Sequence, residues 1–226
     1  MKKVVVAIIC MLMLSSVAWA SPLMDFSAGK GSIDLTYRNS ENSGNIDGSS
    51  MTFDKKYNLD GAITIGLGNK FAFQYRNFEP KSDDTLLGYG YVRDTRLPLK
   101  VNSKIAFNEF NVLYKVDKNV AAFAGLLTAK GTLNFLSGPS LSTNTKNLWQ
   151  VGLVGSTSIA DKTTLWGSVG VGSNLTNWEV GVSYAFAPSW EFNVNYREIE
   201  AKKLSYSGYD VDAKSKGLGL GLTYKF

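Results

Sequence analysis

Residues 214–226 read KSKGLGLGLTYKF, a stretch in which glycine and leucine alternate before the chain reaches an aromatic residue. Side chains on a β-strand point alternately to opposite faces, so this stretch has one apolar face and one face of small or polar residues. The same two-residue period recurs in segments that begin at Tyr57, Phe71, Trp149, Trp178 and Trp190. The sequence therefore predicts an all-β protein built from amphipathic strands.

The two faces of these segments differ in charge. Positions on the apolar face include no charged residue. The charged residues on the opposite face are Asp60, Arg76, Glu179, Glu191, Arg197 and Lys225. A soluble β-sandwich also alternates, with its apolar face in the core and its polar face in water. Alternation alone therefore leaves a sandwich and a membrane barrel as alternatives.

The lengths of the connections distinguish the two architectures. We predict strands over residues 26–38, 57–68, 70–79, 101–116, 119–131, 147–159, 162–173, 177–187, 190–199 and 213–226. Tight turns follow the even-numbered strands, and mostly long, polar connections follow the odd-numbered ones. Outer-membrane barrels have this asymmetry, whereas a sandwich has no reason for it. The predicted fold is a closed antiparallel up-and-down transmembrane β-barrel with ten strands.

The fourth predicted strand is the least regular. Its apolar parity changes between Phe107 and Phe110, which predicts a β-bulge at Asn108 and Glu109. Eight strands would result if the first or the fourth segment were partly loop.

The N-terminus has the features of an export signal. Residues 1–20 combine two lysines, an apolar run from Val4 to Leu14, and the sequence Ala18-Trp19-Ala20. This is the pattern of a cleaved secretory signal peptide, and the run is shorter than the roughly 20 residues that a transmembrane helix needs. We predict a signal peptide over residues 1–20 and one barrel domain over residues 21–226. The barrel domain contains no cysteine and no histidine.

These features resemble the bacterial outer-membrane β-barrel proteins, most of all the small OmpA, OmpX and opacity-type barrels. The terminal strand carries the resemblance most specifically, through Leu218, Leu220, Leu222, Tyr224 and Phe226. In that family such a strand is similar to the assembly signal, and it closes the barrel against the first strand. The resemblance implies a place in the Gram-negative outer membrane. It also implies outer-membrane lipids, lipopolysaccharide and the outer-membrane assembly machinery as partners. The small members have eight strands, whereas ten are predicted here.

The polar face of each strand is expected to point into the barrel. The lumen-lining candidates are Asp34, Arg38, Asp60, Arg76, Glu109, Glu179, Glu191 and Arg197. Their mixed signs suit ion pairs that fill a narrow interior. Gly217, Gly219 and Gly221 on the last strand either leave room for a solute path or are covered by a bulky neighbour such as Trp166.

Catalysis is not expected. Outer-membrane proteases and lipid A hydrolases commonly use a histidine, which this chain lacks. The adjacent Asp83 and Asp84 are interpreted as a solvated charge cluster. No cofactor or metal site is predicted. Without Lys2 and Lys3 the net charge falls from +5 to about +3, which is too mild to indicate a nucleic-acid partner.

Two functions remain open. The first is a small pore or passive channel for ions or small hydrophilic solutes, which the glycines and the ten strands slightly favour. The second is a sealed structural or adhesin-type barrel whose external loops bind lipopolysaccharide, host or partner molecules. The connection over residues 81–100 contains Leu86, Leu87, Tyr89, Arg93 and Arg96. Three interpretations of this connection are open. It packs on the rim of the barrel, it folds over the mouth, or it contacts lipopolysaccharide phosphates or a partner protein.

Overall fold

The computed structural model describes residues 22–46, 48–92, 95–136 and 138–226. The predicted signal peptide lies outside these residues. Across the ranges just given, no helix is long and apolar enough to cross a membrane. The described chain is all β, and its strands are β1 (Gly31–Ile46), β2 (Ser49–Thr52), β3 (Lys56–Gly68), β4 (Phe71–Phe78), β5 (Thr85–Val92), β6 (Thr95–Asp117), β7 (Val120–Phe135), β8 (Ser140–Ser142), β9 (Lys146–Ala160), β10 (Thr163–Gly172), β11 (Leu175–Ala187), β12 (Trp190–Tyr206) and β13 (Tyr209–Lys225).

Ten strands form a closed antiparallel ring. Its order is β1-β3-β4-β6-β7-β9-β10-β11-β12-β13, and β13 returns to pair with β1. This closing pair is continuous from Ser32 opposite Lys225 to Ile46 opposite Val211. Closure leaves no ring strand with an unpaired edge in the hydrocarbon, which the absence of water there requires. The predicted ten-stranded up-and-down barrel is confirmed.

Tight turns connect the strands at one end of the barrel. They lie between β3 and β4, β6 and β7, β9 and β10, and β11 and β12, each within about a residue of the predicted position. Asn69 and Lys70 in the first of these turns have φ values of 51° and 70°. Two successive residues with positive φ are typical of the turn whose twist matches a β-hairpin. This end is the periplasmic side of the predicted topology.

Ribbons replace the predicted long loops at the other end. The ring strands continue past the barrel, and the short strands β2, β5 and β8 pair with β1, β6 and β7. We call these pairs the first, second and third ribbons. The fourth ribbon is the outer part of β12 and β13, which turns at Ser207 and Gly208. The segments were predicted as loops because they are mostly polar, but a strand that projects beyond the lipid needs no continuous apolar face.

The first strand begins at Gly31 and not at Phe26 as predicted. Residues 22–30 enter the periplasmic end of the barrel, where the amide of Gly68 donates a hydrogen bond to the carbonyl of Phe26 at 2.8 Å. Phe26 is 2% exposed. It fitted the alternation of a strand, but it is buried by packing inside the lumen.

The predicted bulge at Asn108 and Glu109 is wrong. The register of β6 against β4 and β7 is continuous through both residues, and the shift in the β6–β7 pairing lies between Lys115 and Asp117. Phe107 points into the barrel with no exposed surface, and Phe110 points outward. The prediction failed because it assumed that every aromatic side chain on a membrane strand faces lipid.

The outward surface is an apolar band with aromatic borders. Leu35, Ile63, Leu153 and Leu220 are among its exposed side chains. Aromatic pairs lie towards the outer border at Tyr37–Tyr57, Tyr75–Phe110 and Trp178–Tyr196, and towards the periplasmic border at Phe71–Tyr114, Trp190–Tyr224 and Tyr224–Phe226. An apolar belt between aromatic girdles is typical of outer-membrane barrels.

Candidate functional site

Ion pairs fill the middle of the lumen. We define the polar layer as Arg38, Asp60, Arg76, Glu109, Asn177, Glu179 and Arg197. The Nε of Arg38 lies 2.7 Å from Asp60 Oδ2, and its Nη2 lies 2.9 Å from Glu179 Oε1. Asp60 is on the adjacent strand β3, but Glu179 is on β11, which β12 and β13 separate from β1 around the ring. The pair between Arg38 and Glu179 therefore crosses the lumen.

Glu179 joins two guanidinium groups. Its Oε2 lies 2.8 Å from Arg76 Nη1, while Oε1 is bound to Arg38. Arg38 also donates a hydrogen bond from Nη1 to the carbonyl of Gly217 at 3.1 Å. A buried charge is tolerated when it is paired and hydrogen-bonded in this way. The side chain of Glu179 thus ties β1 and β4 to β11.

A second cluster completes the polar layer. Nη2 of Arg197 lies 2.5 Å from Glu109 Oε1, and Asn177 donates a hydrogen bond to the same oxygen at 2.9 Å. The guanidinium carbon of Arg197 lies 3.9 Å from the ring centroid of Phe78, which is a cation–π contact. Arg197 therefore contacts a carboxylate on one side and an aromatic face on another.

The structure places all of the predicted lumen residues inside the barrel. Most of them meet in the polar layer, whereas Asp34 and Glu191 lie nearer the periplasmic end. Asp34 accepts a hydrogen bond from Thr223 Oγ1 at 2.6 Å, and Glu191 Oε1 lies 2.6 Å from Lys225 Nζ. These two carboxylates bind side chains of β13, so they anchor β1 and β12 to that strand.

Apolar side chains fill the lumen on the outer side of the polar layer. We call them the outer apolar cluster: Phe78, Ile105, Phe107, Leu127, Ala129, Leu148, Leu175, Ile199, Ala201, Leu204 and Ala213. Phe78 and Phe107 stack with their ring centroids 4.7 Å apart. Sequence reasoning missed this cluster because it assigned apolar side chains to lipid. The sequence did contain a signal for it. Ile199 and Ala201 lie two and four residues after the inward-facing Arg197, so alternation along the strand places them on the same inward face.

The N-terminal residues close the periplasmic end. We call residues 22–30 the N-terminal plug. Phe26 and Met24 pack against inward side chains from four ring strands, namely Ala72, Leu113, Ala121, Phe123 and Val154. A Cβ at Gly66 would collide with the carbonyl groups of Phe26 and Ser27, so glycine at this position permits the close approach of the plug.

The inward glycines are covered. Trp166 points into the lumen, and a Cβ added to Gly181 would lie 2.6 Å from its Cζ2 atom. The indole Nε1 donates a hydrogen bond to Ser183 Oγ at 2.9 Å. On the last strand, Gly219 lies under Thr36 and Asn195, and Gly221 lies under Asn193. Gly219 and Gly221 are therefore covered by Thr36 and by asparagines of β12, whereas Trp166, the predicted cover, packs on Gly181.

The predicted assembly residues form the seam of the barrel. Leu218, Leu220, Leu222 and Phe226 are exposed on the outward face, and Tyr224 joins the periplasmic aromatic border. Phe226 and Gly31 exchange two backbone hydrogen bonds, each 3.0 Å long. The last residue thus pairs directly with the first residue of β1.

The second ribbon carries exposed apolar side chains. Leu86, Leu87 and Tyr89 are all exposed, and Arg96 lies 3.9 Å above the ring centroid of Tyr89. Arg93, which was considered as a phosphate ligand, lies outside the described residues.

The two aspartates at the base of the second ribbon have different partners. Asp83 pairs with Lys56 Nζ at 2.8 Å, and Asp84 accepts a hydrogen bond from Asn102 at 2.9 Å. Their carboxylates therefore act as separate surface charges.

Comparison with known proteins adds information on the fold. No family model matches the chain, and no curated protein matches its sequence. The outer-membrane protease OmpT from Escherichia coli has a similar structure, with a TM-score of 0.60, 12% identity, and coverage of 87% of this chain and 96% of OmpT. The attachment invasion locus protein Ail of Yersinia pestis, solved with the heparin analogue sucrose octasulfate, gives a TM-score of 0.44, 12% identity, and coverage of 87% and 99%.

Neisserial surface protein A gives a TM-score of 0.41, 14% identity, and coverage of 88% of this chain and 98% of its own. At such identities the likeness is one of fold. The closed ring, the apolar band and the aromatic borders define an integral outer-membrane β-barrel protein.

Proposed function

We propose that this protein is a sealed outer-membrane barrel that acts at the cell surface through its ribbons, as a structural or binding protein. The observation that supports this proposal is the filling of the lumen by three successive layers. The N-terminal plug, the polar layer and the outer apolar cluster follow one another from the periplasmic to the outer end. A solute would have to displace Phe26, the ion pairs of Glu179 and then Phe107.

The same packing weighs against the pore hypothesis. A pore needs a continuous aqueous path, whereas the described side chains in the middle of this barrel bind one another across it. Separating these pairs inside the lumen would leave buried charges without their partners, which is unfavourable. Gly219 and Gly221, which had suggested a wider lumen, are covered by Thr36 and the asparagines of β12.

Vesicle swelling tests the proposal. The folded barrel is reconstituted into liposomes, and swelling in arabinose is compared with protein-free liposomes and with liposomes that contain a general porin. We expect liposomes that contain the barrel to swell at the same rate as protein-free liposomes. Deletion of residues 22–30 should leave that rate nearly unchanged, because the other two layers remain. Swelling of the unmodified protein at the porin rate would establish the pore and refute the sealed barrel.

We further propose that the wall formed by β6 and β7 contacts lipopolysaccharide. Lys104 and Lys130 lie on the outward parity of these strands, beyond the aromatic border at Tyr75 and Phe110. Lys130 is exposed, and Lys104 Nζ lies 2.7 Å from Glu79. Lipopolysaccharide carries its phosphates just outside the hydrocarbon, where an ammonium group can form charge-assisted hydrogen bonds with them.

The contact is tested by stability in the presence of lipopolysaccharide. We expect added lipopolysaccharide to raise the urea midpoint of the barrel in vesicles, and the double variant Lys104→Gln and Lys130→Gln to lose most of this increase. Lys202→Gln on the fourth ribbon is the matched control, since it removes one exposed lysine from a different wall. An increase of equal size in all three proteins would contradict the proposed contact.

The proposal includes no catalytic role. The carboxylates Glu109 and Glu179 are held by guanidinium groups inside the lumen, where a substrate would not reach them. The proposal also keeps the outer-membrane assembly machinery as a partner of the strand that ends at Phe226.

A further inference from the structure

The outer mouth of the barrel contains a cavity of about 180 Å³, which we call the outer cup. Its floor includes Ile105 and Ala213 of the outer apolar cluster, and the first, third and fourth ribbons form its walls. The walls present mainly apolar side chains: Ile46, Met51, Phe53, Leu133, Leu141 and Val211. Ile46 is 39% exposed and Met51 is 37% exposed, so the cup opens at the rim towards the outside.

Several polar groups around the outer cup are bound within the protein. Thr143 Oγ1 accepts a hydrogen bond from the amide of Gly131 at 3.0 Å, and the amide of Ser103 donates to Ser82 Oγ at 2.8 Å. Asp212 is the charged residue among the described lining residues, and its carboxylate accepts a hydrogen bond from the amide of Lys203 at 2.9 Å. The surface that faces the cavity is mainly apolar.

We propose that the outer cup binds a small, uncharged, apolar molecule about as large as one aromatic ring with short substituents. An apolar cavity of roughly 150 Å³ lined by Leu, Ile and Phe binds benzene, and the outer cup is similar in size and in its mainly apolar lining. An anion would lose its hydration without gaining a partner there, because the charged group among the described lining residues is the carboxylate of Asp212. This site goes beyond the sealed-barrel function and does not depend on it, because the cup lies outside the seal.

The test uses benzene as the probe and methyl NMR as the measurement. The full barrel is labelled at Ile, Leu and Val methyl groups, reconstituted in lipid nanodiscs, and titrated with benzene. The methyl resonances of Ile105, Leu141 and Val211 should shift along a saturable curve. Those of the lipid-facing Ile63 and Leu220 should shift linearly, since benzene partitions into the surrounding lipid. Linear shifts of equal size in both groups would overturn the proposal.

Two tryptophan variants on the same strand provide the matched comparison. Leu141→Trp fills the outer cup, whereas Ser140→Trp adds the same ring on the opposite, exposed face of β8. We expect benzene binding to weaken by about tenfold or more in the first variant and to stay unchanged in the second. Equal binding in both variants would overturn the proposal.

The comparison also remains decisive if Leu141→Trp does not fold, which a heat-dependent shift in gel mobility reveals. Val211→Phe then fills the cup from the fourth ribbon, and the same weakening is expected. The swelling assay is independent of this result, so failure of the sealed barrel and failure of the cup are distinguishable.

Discussion

Replacement of Glu179 by glutamine is the most direct test of the polar layer. The variant keeps the size of the side chain and removes the charge that Arg38 and Arg76 share at 2.9 and 2.8 Å. Arg38 retains Asp60, whereas Arg76 loses the carboxylate that it contacts directly. Loss of one member of a buried ion pair costs about 3–5 kcal/mol, because the remaining charge stays desolvated. We expect a loss of this size in the free energy of unfolding.

Glu198→Gln is the matched control. Glu198 is on β12 next to Arg197 but faces outward, where its carboxylate lies 2.7 Å from Lys214 Nζ. An exposed pair of this kind contributes about 0–1 kcal/mol. Urea unfolding in lipid vesicles, followed by tryptophan fluorescence and gel mobility, measures both variants. Equal losses for Glu179→Gln and Glu198→Gln would refute the assignment of Glu179 to a buried network.

A double-mutant cycle sharpens the result. If Glu179 and Arg76 bind one another, Arg76→Gln in the Glu179→Gln background should cost much less than it costs alone. Strictly additive losses would mean that the two side chains do not interact, even if each is important.

Two further predictions concern packing and assembly. Phe107→Ala removes a fully buried ring and should cost about 3–5 kcal/mol in urea unfolding, whereas Phe110→Ala on the lipid face should cost clearly less. A larger loss for Phe110→Ala than for Phe107→Ala would indicate that Phe110 is the buried residue, and it would support the predicted bulge. Deletion of Phe226 removes the residue that pairs with Gly31, so the amount of folded barrel in the outer membrane should fall while export to the periplasm is unchanged. Normal membrane levels of this deletion would count against the assembly signal.

The membrane-spanning part of the fold could be predicted from the sequence because lipid restricts it severely. Every lipid-facing position must be apolar, and every periplasmic turn must be short. The alternation in residues 57–68 and the turn at Asn69 were therefore sufficient to predict a membrane-spanning hairpin there. The predicted lumen residues followed from the same parity, since Arg38 and Glu179 lie opposite the lipid face.

The remainder was not predictable because its environment is less restrictive. Residues 39–56 are mostly polar and show no regular alternation, so their sequence does not distinguish a ribbon from a loop. Phe26 and Phe107 are aromatic residues that would suit either lipid or a packed interior. Their placement depends on which side chains face them across the lumen, such as Leu113 and Phe78, and strand parity does not contain that information.

The ribbons and the seam also determine where the barrel accepts added sequence. The plug and Phe226 are both built into the periplasmic end, so a tag joined to either would compete with the packing or pairing that closes the barrel. The tip of the fourth ribbon is different. A Cβ at Gly208 would have no neighbour within 4 Å, and the ribbon has already left the membrane there. Peptides inserted between Ser207 and Gly208 should be displayed on the cell surface without disturbing the ring.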